Sequence, residues 1–142
     1  GQQQYFQMIY ILRDDAGEID KVVLPIEGYG LWSTLYGFIA LEENGNDIFG
    51  LQFYQHGETP GLGAEVDNPR WKALWNGKKL RDDDGDLQIT VAKAPPPAGQ
   101  EFYIDALAGA TLTSRGVHNL VRFWMGEQGY GPFLERLKAG DI

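Results

Sequence analysis

Three hydroxyl side chains, Thr111, Thr113 and Ser114, follow a run dominated by small residues, Ala106-Leu107-Ala108-Gly109-Ala110, that Asp105 opens. Small side chains let a backbone come close to a partner. A turn of this kind ahead of a helix also exposes N–H groups that lack intrahelical partners, which suits an anion and a phosphate above all. The plainer reading, which composition alone favours, is an ordinary helix start, with Thr113 or Ser114 accepting from the first-turn amides. No Gly-Lys-Ser/Thr follows, so the segment is not a phosphate-binding P-loop.

A second segment with chemical content is His56 to Gly63, which reads HGETPGLG. Glu58 and Thr59 offer hydrogen bonds, Leu62 an apolar surface, and Gly61 and Gly63 room for close approach. His56 and Glu58 invite a metal reading, but two ligands without a third do not make a site, so no metal is assigned. The Asp82–Asp86 run (DDDGD) reads as a solvated turn, because it lacks the full ligand spacing of a calcium loop. Thr111, Thr113 or Ser114 with His56 and either Glu58 or Asp105 contains the residue types of a hydrolase. Such a constellation is recognised by geometry and not by order. The G-x-S-x-G elbow is missing, however.

The elements that must position these segments are legible as alternation and punctuation. Tyr5 to Leu12 is rich in aromatic and branched residues and reads as a strand, Arg13 to Gly17 as a turn, and Ile19 to Ile26 as the second arm of a hairpin. Glu27-Gly28-Tyr29-Gly30 reads as a loop. Leu35 to Leu41 and Ile48 to Tyr54 continue an antiparallel meander through a turn at Asn44–Asp47. Asn68 before Pro69 predicts a helix start, with Trp71, Leu74 and Trp75 at helical spacing and Gly77 ending the run. A strand is expected over Leu87–Val91, and a polyproline loop over Ala94–Gly99. Val117, Leu120, Val121 and Trp124 follow i, i+3, i+4, i+7, one apolar face of an amphipathic helix. A last short helix is expected over Pro132–Lys138. The expected fold class is α+β, an antiparallel β-sheet with packed helices, in a single domain over residues 1–142.

Composition sets limits on partners. The 142 residues carry 12 Lys and Arg against 20 Asp and Glu, a net charge of −8. That excess argues against wholesale binding of nucleic acid, whose phosphates need clustered Lys and Arg. There is no cysteine, which excludes disulfides, thiolate metal sites and cysteine nucleophiles. No apolar run approaches the roughly 18 residues of a membrane span.

Asp105 to Val117 (DALAGATLTSRGV) resembles the covalent flavin attachment motif of bacterial FMN-binding domains, D-x-x-S/T/A-G-A-T. The HGETPGLG loop is present letter for letter, the G-L-W loop as Gly30-Leu31-Trp32, and the F-W-x-G-x-x-G-Y-G-P-F-L tail at Phe123 to Leu134. Four matches in order, over nearly the whole chain, resemble the family of C subunits of the Na⁺-translocating NADH:quinone reductases. The flavoprotein subunit of Rnf-type ferredoxin:NAD⁺ reductases is the related alternative.

The resemblance implies FMN attached through a phosphoester to Thr111. Gly30, Leu31, Trp32, Glu58, Thr59, Gly61, Leu62, Gly63, Gly109, Ala110, Leu112 and Thr113 are implied around the cofactor. Arg115, one turn into the helix, reads either as a helper for the phosphate or, the favoured reading, as a plain exposed surface residue. Trp32 reads either as a border of the flavin or as core. No catalytic side chain is implied, because the flavin does the redox work. Ala108 stands where Ser or Thr is commonest in the motif, but Gly109, Ala110 and Thr111 are intact, so modification is expected.

The implied partners are a flavin transferase that uses FAD and a divalent metal, and the other subunits of the sodium pump. The implied location is the periplasmic side of a bacterial inner membrane. An N-terminal membrane helix that these residues do not contain would anchor the domain there, and the expectation is therefore a soluble fragment. A structural adaptor without flavin is a weaker alternative, against which intact Thr111 counts.

Overall fold

The computed structural model describes residues 8–142. Four strands form one antiparallel sheet in chain order: β1 (Tyr10–Arg13), β2 (Ile19–Tyr29), β3 (Thr34–Glu42) and β4 (Ile48–Gln55). Along β2 the side chains alternate, so Val22, Leu24 and Ile26 are buried while their neighbours are only partly covered. Leu35, Ile39 and Leu41 of β3 and Ile48, Leu51 and Phe53 of β4 complete the buried face.

Two expectations about this sheet are corrected. The residues Glu27, Gly28 and Tyr29 are strand, not loop, because they stay in register opposite Tyr36, Leu35 and Thr34. The connection to β3 therefore shrinks to residues 30–33. The first strand begins at Tyr10, and the expected strand residues Tyr5, Phe6 and Gln7 lie outside the described residues.

Asn68 caps α1 (Pro69–Ala73), its side chain accepting from the Arg70 N–H. The helix ends before Leu74, which is exposed, whereas Trp71 and Trp75 are buried and stack edge to face. At Asp82 one carboxylate oxygen accepts from the Asp84 and Asp86 N–H groups, closing the acidic turn. The strand expected over Leu87–Val91 is realised as β5 (Thr90–Ala92), because the Gln88 and Ile89 N–H groups both turn back to the Leu80 carbonyl. It pairs in parallel with β6 (Tyr103–Asp105), a strand that sequence reasoning missed, so the fold adds a small parallel pair to the antiparallel sheet.

The helix α2 (Thr111–Met125) packs its Val117, Leu120, Val121 and Trp124 face into the core, and α3 (Gly131–Lys138) follows it. The α2 backbone lies hard against the end of β2. A Cβ on Gly28 would stand 2.5 Å from Leu120 Cβ, and one on Gly116 would collide with the Tyr29 carbonyl. Two hydrogen bonds lock this packing: Trp124 Nε1 donates to Glu27 O at 2.7 Å, and Tyr130 Oη donates to Pro25 O at 2.5 Å. Among the described residues no helix is long and apolar enough to cross a membrane.

Candidate flavin site at the start of helix α2

The segment from Asp105 to Thr111 leaves β6 as a tight, closed turn. Trp71 Nε1 donates to Asp105 O at 2.8 Å, the Ala106 N–H to Ala92 O at 2.9 Å, and the Ala110 N–H to Leu107 O at 3.2 Å. Gly109 takes φ +71°, a left-handed conformation in which a side chain is strained. Leu107 and Ala110 are buried as anchors, while Ala108, Gly109 and Thr111 face solvent. The turn therefore presents Thr111 as the first, exposed residue of α2.

Neither Thr113 nor Ser114 caps the helix, contrary to one of the two readings of this segment. The N-cap position is Ala110, and no side chain accepts from the first-turn amides. Both hydroxyls are buried and engaged elsewhere. Ser114 Oγ accepts from the Leu107 N–H at 2.9 Å, which holds the turn against the helix. Thr113 Oγ1 donates to Glu58 at 2.8 Å. The uncapped first-turn N–H groups and the positive end of the helix dipole thus remain available beside Thr111.

Glu58 is the hub on the other side. Its buried carboxylate accepts from the Leu31 N–H at 2.7 Å, the Trp32 N–H at 3.0 Å, Ser33 Oγ at 2.7 Å and Thr113 Oγ1 at 2.8 Å. Burial alone would push this carboxyl up, but the bonds from Ser33, Leu31, Thr113 and Trp32 together outweigh it and hold the group below its ordinary value. Gly30 and Gly63 make the approach possible: a Cβ on Gly30 would sit 2.5 Å from Glu58 Oε1, and one on Gly63 2.6 Å from Thr113 Oγ1. Glu58 is thus a clamp joining three segments, and its acceptor positions are filled from within the protein. This revises its expected place as a direct hydrogen-bond partner of a ligand.

Around the clamp an apolar surface faces solvent, made by Leu31, Trp32, Leu62 and Leu112. Leu62 lies over the Gly109 turn, 3.4 Å from where a Cβ would be. Trp32 is 71% exposed, which rules out its reading as core. The Thr59 carbonyl accepts from the Leu62 and Ala64 N–H groups, and Gly61 at φ +78° makes that turn possible; the Thr59 side chain itself is exposed.

His56 supports the loop instead of serving chemistry. Its Nδ1 accepts from the Glu58 N–H at 3.2 Å and its Nε2 pairs with Asp67 at 2.7 Å. No hydroxyl among Thr111, Thr113 and Ser114 is bonded to His56, so the nucleophile–base pair of a hydrolase is not assembled.

Sequence reasoning missed Ser33, Lys93 and His118. Lys93 and His118 line, together with Thr111 and Arg115, a cavity of about 530 Å³ on the β5 side of α2. The signal for His118 was present, since it lies seven residues after Thr111 on the same helix face.

The profile of the FMN-binding domain matches residues 30–126, which spans the G-L-W loop, the HGETPGLG loop and the attachment turn. The chain belongs to the FMN-binding domain family. The C subunit of the Na(+)-translocating NADH-quinone reductase of Pseudomonas aeruginosa is 51% identical over 142 residues, covering 98% of this chain and 54% of that protein. The protein of the same name from Yersinia pestis is 50% identical over 134 residues, covering 94% of this chain and 50% of that protein. The crystal structure of Shewanella oneidensis NqrC superposes with a TM-score of 0.84 at 43% identity, over 92% of this chain and 60% of that one. The crystal structure of the corresponding C subunit from Parabacteroides distasonis gives 0.76 at 32% identity, over 89% and 61%. The chain spans about half the length of the curated relatives it matches. The mixed α+β architecture of this FMN-binding domain is the one those structures share.

Proposed function

We propose that these 142 residues act as one FMN-binding domain that carries its flavin as a phosphoester on Thr111. On this reading the domain serves as an electron-transfer module of a Na⁺-translocating NADH:quinone reductase. The observation that carries the proposal is the exposed Thr111 hydroxyl at the uncapped start of α2, where first-turn N–H groups favour a phosphodiester. A single negative charge in that position is worth about 0.3–1 kcal/mol at an exposed helix end.

When bound, FMN supplies the electron-accepting and electron-donating chemistry. The protein's own residues do the positioning. The Leu107–Ala110 turn fixes Thr111, and the Glu58 clamp holds Leu31, Trp32 and Thr113 in one body. The exposed Leu62, Leu112 and Trp32 surfaces offer an apolar seat. No general acid or base is required. The names of the relatives support the assignment to the sodium pump, with its other subunits as partners. A flavin transferase for maturation and the periplasmic face of the inner membrane as location rest on the motif resemblance alone.

Coexpression with a flavin transferase, followed by intact-mass measurement and peptide mapping, tests the linkage. The expected product is the chain plus FMN minus water, mapped to Thr111, with none in Thr111→Ala. An unmodified wild-type chain, or an adduct that survives in Thr111→Ala, overturns it.

A further inference from the structure

The β5 side of α2 differs in chemistry from the apolar surface around Leu62. Thr111, Ser114, Arg115 and His118 stand at i, i+3, i+4 and i+7 and so form one stripe along the helix. Facing them across the cavity of about 530 Å³ are β5 and Lys93, which follows it. No acidic side chain lines this recess, in a chain where acids outnumber bases by 20 to 12.

The polar groups left free in the recess are donors. Ser114 Oγ is taken by the Leu107 N–H, and the Thr90 hydroxyl donates to Gln88 O. His118 Nδ1 accepts from the Val91 N–H at 3.0 Å, which places the proton of the neutral imidazole on Nε2 and makes that atom a donor. Among the described residues, Arg115 and Lys93 make no hydrogen bond or ion pair. Two unpaired cations and an imidazole N–H around an acid-free recess suit an anion, and the exposed hydroxyl on its rim is the one proposed to receive a phosphate.

We propose that this recess seats the phosphate group of the Thr111 linkage, with Arg115 and His118 as its direct contacts and Lys93 closing the charge from the β5 side. The inference rests on the Thr111 reading and adds the residues that neutralise the group. Burial and then the Arg122 charge hold the unmodified His118 below the ordinary imidazole value. The charged groups facing the recess with it are Arg115 and Lys93, and Arg122 lies one turn further along α2. Of these the Arg122 charge opposes its protonation, whereas a phosphate brought into the recess favours it.

The test follows the imidazole C–H resonances by NMR from pH 5 to 8. The samples are the unmodified chain, the unmodified chain with inorganic phosphate, and the chain flavinylated by coexpression and verified by mass. His118→Gln assigns the two histidines, and His56, paired with Asp67, is the internal reference.

The expected result is an upward shift of the His118 midpoint of about one pH unit in the flavinylated chain, with His56 unmoved. Arg115→Gln is expected to displace the ³¹P resonance of the linkage. A flavinylated chain whose His118 midpoint matches the unmodified one overturns the inference while leaving Thr111 as the attachment point. That holds also if inorganic phosphate alone moves His118, since the recess then takes a free anion and not the linkage. Absence of the adduct by mass is the separate failure of the Thr111 reading, and this inference falls with it.

Discussion

The start of α2 has two polar sides built on opposite terms. On the Glu58 side the carboxylate is saturated by four hydrogen bonds, and Gly30 and Gly63 leave no room even for a methyl group. On the β5 side Arg115 and Lys93 stand unpaired around open space, and His118 keeps a free donor. Both sides carry charged residues beside the same turn, so charge alone does not tell a scaffold from a seat. Saturation does. A carboxylate whose acceptor positions are filled holds loops together, whereas unpaired cations lining a cavity have capacity left for a ligand.

The largest expected break in this contrast is the complete loss of covalent flavin in Thr111→Ala, which touches neither side's internal bonding. Next comes Glu58→Ala. It leaves two backbone N–H groups and two hydroxyls without their acceptor and is expected to destabilise the fold by about 2–4 kcal/mol in urea unfolding. Arg115→Ala, on the open side, is expected to stay within about 0.5 kcal/mol of wild type. Equal costs for the two variants would erase the distinction between clamp and recess. Gly116→Ala drives a methyl group into the Tyr29 carbonyl and forces α2 away from β2, at a cost of about 1–3 kcal/mol by thermal unfolding.

The smallest effect is the pH dependence of the clamp. The folded Glu58 carboxyl lies below its ordinary value of 4.5, so the unfolded chain binds the proton more readily. The contribution is therefore complete above about pH 4.5 and is lost as the pH falls through the folded value. Urea midpoints from pH 6 to pH 3 are expected to fall more steeply for wild type than for Glu58→Gln. Parallel curves would show that the carboxylate's charge is not what the four donors stabilise.

Much of this arrangement was legible in the order of residues. The alternation through β2, β3 and β4 and the 3.6-residue period of α2 place the core, because those patterns depend only on neighbours along the chain. Asn68-Pro69 marked a helix start for the same local reason. The attachment turn and the HGETPGLG loop were visible as motifs, and Thr111 stood out among three hydroxyls by its place in the first. The parallel pair β5–β6 was not legible, since three-residue strands carry too little pattern and their pairing joins segments either side of a proline loop. Extension of β2 through Gly28 was hidden because glycine reads as a loop residue. Here it is required by the close approach of Leu120.

By itself the sequence determined the α+β class, the family, and the residue proposed to carry the cofactor. All three rest on local order: period, punctuation and contiguous motifs. Only the tertiary structure decided what the surrounding polar residues do. Glu58 meets Leu31, Trp32 and Ser33 across 25 to 27 residues and Thr113 across 55, and Val91 fixes His118 across 27. Whether a buried carboxylate is saturated, or a cation left free, depends on which distant donors the fold brings within 3 Å, and no local pattern encodes that.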